Sequence, residues 1–69
     1  MVEVFKTNVA DKSLAEMVVE ILYRELPECR INFDLDDCDR ILRIEGEILP
    51  VEMIREMVRN NGILCEILL

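Results

Sequence analysis

A chain of 69 residues has room for one hydrophobic core, and with 52% of its residues apolar and 33% charged it has the balance of a folded domain rather than a disordered segment. A formal net charge of −7, with the basic residues scattered among acids, repels phosphate backbones and anionic lipid, so neither nucleic acid nor a membrane is an expected partner. No apolar run approaches the roughly 20 residues of a membrane span. The start Val2-Glu3-Val4 does not read as a leader and three cysteines are an odd number, so the expectation is one cytoplasmic domain over residues 1–69 with reduced thiols.

The first element, Val2 to Thr7, is short and rich in β-branched and aromatic residues with polar ones interleaved, which predicts a strand, β1. Leu14, Met17, Val18, Ile21, Leu22 and Leu26 then recur at the spacing of one helical face and predict α1. Asp11 and Ser13 are both able to cap that helix, Ser13-Leu14-Ala15-Glu16 fits a capping box, and Pro27 ends it. Ile31, Phe33 and Leu35 alternate with polar residues, and Leu42 and Ile44 resume the alternation after Asp36-Asp37-Cys38-Asp39. These are β2, a hairpin turn and β3.

Gly46 breaks β3, and Pro50 stands where a helix can start because its missing amide costs nothing in the first turn. Val51, Ile54, Met57 and Val58 stripe α2, Asn61-Gly62 closes it, and Ile63 to Leu69 reads as β4. The order β-α-β-β-α-β leaves few un-knotted arrangements. It predicts an α+β, ferredoxin-like sandwich: a four-stranded antiparallel sheet in the order 4-1-3-2, with two helices on one face. On this reading Val4, Phe33, Leu42, Ile44, Cys65 and Ile67 point to the helices. Phe5, Ile41, Leu64 and Leu68 point the other way, as an apolar patch for association with a second copy or another protein.

The passage Lys6-Thr7-Asn8-Val9-Ala10-Asp11-Lys12-Ser13-Leu14, the strand ending Arg43-Ile44-Glu45-Gly46 and the ending Asn60-Asn61-Gly62-Ile63-Leu64-Cys65-Glu66-Ile67 are the pieces by which the chain resembles the heavy-metal-associated domain of copper chaperones, over essentially its whole length. The resemblance implies the same fold. That family holds a soft metal ion between two thiolates in a Met-x-Cys-x-x-Cys loop. Aligned on α1, Val9 stands at the methionine, Asp11 at the first cysteine and Leu14 at the second, so the loop is degenerate and the metal activity does not carry over. Asp11 reads instead as a helix cap.

The remaining chemistry is sparse. Cys29, Cys38 and Cys65 fall on separate elements; Cys65 reads as a small core residue, and Cys38, a weak candidate for metal, is surrounded by acids that make it a poor nucleophile. The aspartates of the turn lack the glycine and terminal glutamate of a calcium loop. With no histidine, no phosphate loop and no arginine after β1, no enzyme and no cofactor are expected. The expected function is a non-catalytic binding module. The alternatives are a metal handler with a non-standard cysteine site and a sensor that holds a small ligand between two copies.

Overall fold

The computed structural model describes residues 1–68; Leu69, the last residue of the expected final strand, lies outside the described residues. The elements are β1 (Val2–Thr7), α1 (Lys12–Glu25), β2 (Arg30–Asp34), β3 (Ile41–Glu45), α2 (Val51–Arg59) and β4 (Cys65–Ile67). The strands lie in the order β2-β3-β1-β4, all neighbours antiparallel. This is the ferredoxin-like α+β sandwich that the pattern predicts. Ala15, Val18 and Leu22 of α1 and Ile54 and Val58 of α2 share one core with Phe5, Leu42, Ile44 and Cys65, so both helices cover the same face. No helix among the described residues is long and apolar enough to cross a membrane.

Local chemistry sets the element ends. Asp11 caps α1, its Oδ1 accepting the Ser13 amide at 2.7 Å. The helix therefore starts at Lys12 and leaves Ser13 inside the first turn, where the expected capping box does not form. Gly62, at φ +75°, supplies the left-handed turn after α2. Gly46 is favoured by space rather than by φ: a Cβ there would stand 2.7 Å from the Cys29 Sγ, which would have to shift. The hairpin tip is built from side-chain turns, with Asp34 Oδ1 accepting the Asp36 amide and Asp37 Oδ1 the Asp39 amide, the usual reason for aspartate in such a turn. Arg40 takes a positive φ of 46° and donates from Nη1 to the Leu35 carbonyl.

The facing of β1 differs from the expectation. Phe5 is fully buried among the helices, whereas Val4 is only half-buried on the opposite face. The register agrees: Phe5 lies directly opposite Leu42 on one side and Ile67 on the other, and opposed residues share a face. Val2 and Val4 compete with Phe5 for the core because their parity is opposite. The aromatic ring wins by burying more apolar area than either valine. Its parity carries Glu3 inward too, where Oε2 is buried without a hydrogen-bond partner, and Thr7, whose hydroxyl is satisfied. In α1 the buried stripe is rotated as well: Met17 is exposed and Ala15 is buried.

Candidate functional site

Phe5 belongs to the core and not to an outward patch. Of the other three residues expected on the open face, Ile41 is half-buried, and Leu64 and Leu68 are exposed at the β4 side. Between them run Arg43, Glu45, Lys6 and Glu66, and Arg43 pairs with Glu45 at 3.7 Å. The open face is therefore mixed in polarity.

The loop between β1 and α1 is a structural piece. Val9 is fully buried, Asp11 is the cap described above, and Leu14 packs against the core. Asn8 ties the loop to the last strand by accepting the Leu64 amide at 3.0 Å. Each of the three aligned positions is thus occupied by a residue with a folding role.

The hairpin tip does bring Asp37, Cys38 and Asp39 together, one ligand atom from each lying within 4.8 Å of the others. Two of those groups have other partners: Asp37 Oδ1 accepts the Asp39 amide at 2.8 Å, and Asp39 Oδ1 lies 3.9 Å from Lys6 Nζ. Cys29 and Cys65 are not part of this group.

Cys65 is a core residue. Burial pushes its thiol up from the ordinary value, opposed by Arg59 and Arg55 and assisted by Glu66. The folded thiol keeps its proton where the unfolded one, near pKa 8.5, has lost it. Its contribution to stability is therefore complete below that pH and declines as pH rises past it. Replacing Cys65 with valine will flatten the alkaline decline in urea midpoint. In native protein an aromatic disulfide reagent will label exposed Cys38 first and reach Cys65 only on unfolding. Equal labelling rates would contradict this placement.

A concavity lies elsewhere, where α1 passes beside β2. It is a groove of about 700 Å³, floored by Ala15 and Val19 of α1 and by Ile31, Phe33 and Leu35 of β2 and its end, with Tyr23 closing one side. It forms along the stripe Ala15-Val19-Tyr23 at i, i+4, i+8, which starts in the core at Ala15 and leaves it through half-buried Val19 to exposed Tyr23. The small Ala15 side chain leaves the room. Its rim carries four carboxylates, Glu16, Glu20, Asp34 and Asp36, against the single amine of Lys12.

The groove also runs along a sheet edge, since β2 pairs only with β3 among the described residues. The Ile31 amide points away from β3 and donates to the Tyr23 hydroxyl at 3.1 Å. Amides of an antiparallel strand alternate in direction, so the Phe33 amide and carbonyl point into the groove as well. Tyr23 protects one end of this edge and Arg40, on the Leu35 carbonyl, the other. The open stretch is centred on Phe33. Sequence reading placed no site here, although the Ala15-Val19-Tyr23 stripe beside Glu16 and Glu20 was a legible signal.

No protein-family model matches the chain, and no curated protein or solved structure matches it either.

Proposed function

We propose that this chain is a non-catalytic cytoplasmic binding module, a heavy-metal-associated-like domain without the metal site, that holds another polypeptide in the groove between α1 and β2. The observation that carries the reading is the coincidence of an apolar trough with an unpaired strand edge in a small domain. Main-chain pairing supplies affinity and the trough supplies selectivity in this kind of recognition. The composition supports it: no histidine is present, and the net charge of −7 disfavours nucleic acid and anionic membranes.

Selection of random displayed peptides tests it, using the natural chain and two groove variants, Val19→Lys and Glu20→Lys, each checked for native circular dichroism. Enriched peptides that bind the natural chain and lose affinity for both variants are the expected result. Failure to enrich any peptide, or binding indifferent to both substitutions, would overturn the reading.

A second reading, self-association, is favoured by the other edge. On the β4 side Leu64 is 45% and Leu68 40% exposed. The β4 strand is a sheet edge paired only with β1 among the described residues, and pairing of edges about a two-fold axis is a simple cover. Light scattering behind a sizing column should then show a mass that rises with concentration in the natural chain and stays at the monomer in Leu64→Lys. A constant monomer mass for both would remove this reading.

A further inference from the structure

Resting on the groove reading above, we infer that the occupant is an extended, basic segment with apolar residues at alternate positions, which adds to β2 as an antiparallel fifth strand. Three features of the groove define that chemistry. The first is the edge itself. Phe33 offers an amide and a carbonyl in the strand direction, and every other pair in the sheet is antiparallel, the more stable arrangement per residue. A helix lying in the trough would leave both groups unpaired, which is costly once water is excluded.

The second feature is the alternation of surroundings. In an antiparallel addition, the incoming residue opposite Phe33 points to the same face as Phe33, into the trough against Ala15 and Val19. Its neighbours point to the open face, beside Asn32 and Asp34. Apolar residues therefore suit one parity and polar or charged residues the other. The third feature is charge. With Glu16 and Glu20 on the helix bank and Asp34 and Asp36 on the strand bank, lysine or arginine is attracted from both sides and acidic segments are repelled. Lys12 stands alone against these four.

The parity makes the inference sharp. In antiparallel pairing, the residues whose side chains enter the trough are those whose amides point at β2. The amides of the intervening residues point to solvent. In a parallel addition the assignment is reversed.

The probe is a fluorescent synthetic peptide of alternating lysine and valine, Lys-Val-Lys-Val-Lys-Val-Lys, measured by anisotropy against the intact chain at physiological ionic strength. Two versions carry backbone N-methyl groups, one on the valines and one on the inner lysines. A third has the same composition in blocks. Methylation of the valines should weaken binding about tenfold or more, the factor expected for lost main-chain bonds, and methylation of the lysines should leave it nearly unchanged. The block peptide should bind as weakly as the methyl-valine one. Glu20→Lys, at an exposed position whose ion pair with Arg24 at 3.8 Å lies on the surface, should weaken the parent peptide and shift its salt dependence.

Equal binding of all versions would mean charge attraction alone and would overturn the inference, as would loss confined to the methyl-lysine peptide. No binding by any version would overturn it too. If displayed peptides still enrich on the groove while these probes fail, the binding-module reading stands and only the nature of the occupant is wrong. If neither binds, both fall.

Discussion

Truncating Phe5 to alanine will cost about 3–5 kcal/mol, the range for a large aromatic removed from a core that cannot fully collapse around the cavity. The ring is fully buried and lies at the meeting of β1, β3 and β4, opposite Leu42 and Ile67, with both helices above it. A domain of this size has in all only about 3–10 kcal/mol of stability, at the usual 0.05–0.15 kcal/mol per residue. The variant will therefore be largely unfolded, or close to it, at room temperature. Val4→Ala is the control, since Val4 is half-buried on the other face; it should cost less than about 1 kcal/mol. Urea titrations followed by circular dichroism give both numbers. A small loss for Phe5→Ala with a large one for Val4→Ala would mean that β1 has the opposite facing.

The second large effect is expected at Thr7, the one buried polar residue among those described. Its hydroxyl donates to the Arg40 carbonyl and accepts the Val9 amide at 3.2 Å, joining the loop before α1 to the end of the hairpin turn. Thr7→Val keeps the shape and deletes both bonds. A buried group left without a partner costs about 1–3 kcal/mol, so the loss of two should lower stability by about 2–4 kcal/mol. Thr7→Ser, which retains the hydroxyl, should recover most of it. Hydrogen exchange supplies an independent reading: the Val9 amide should lose protection in Thr7→Val well beyond the global change. A valine variant as stable as the serine one would show that the hydroxyl bridge is not formed.

The architecture was legible because its signals are local and mutually consistent. The Pro27 and Gly62 stops, the capping Asp11, and the alternation of Ile31 and Phe33 with Leu42 and Ile44 after it each agree with one order of elements, and that order admits few topologies. The facing of β1 was not legible, because Val2 and Val4 make one alternating pattern and Phe5 belongs to the other. Only the partners across the sheet decide between them. The rotation of α1 has a similar origin: Met17 fits the helical spacing of the stripe, yet the inter-element gap accepts Ala15 and leaves Met17 in solvent.

The groove was the least legible feature. It is made by a helix and the strand that follows it in the chain, and it requires that β2 be an edge strand while α1 stands beside it. Periodicity reveals the stripe Ala15-Val19-Tyr23 but not what faces it. The aspartates of the turn, by contrast, lack in sequence the pattern of a calcium loop, and in the structure Asp34 and Asp37 hold the turn's own amides.

Whether the trough between α1 and β2 holds another polypeptide is tested most directly by intermolecular nuclear Overhauser effects from an enriched peptide to isotopically labelled protein. Contacts from the peptide backbone to the Phe33 amide, together with contacts from its side chains to the Val19 methyls, are the predicted result. Contacts confined to the open face around Arg43 or to Leu64 and Leu68, with none to Phe33 or Val19, would contradict binding in the trough.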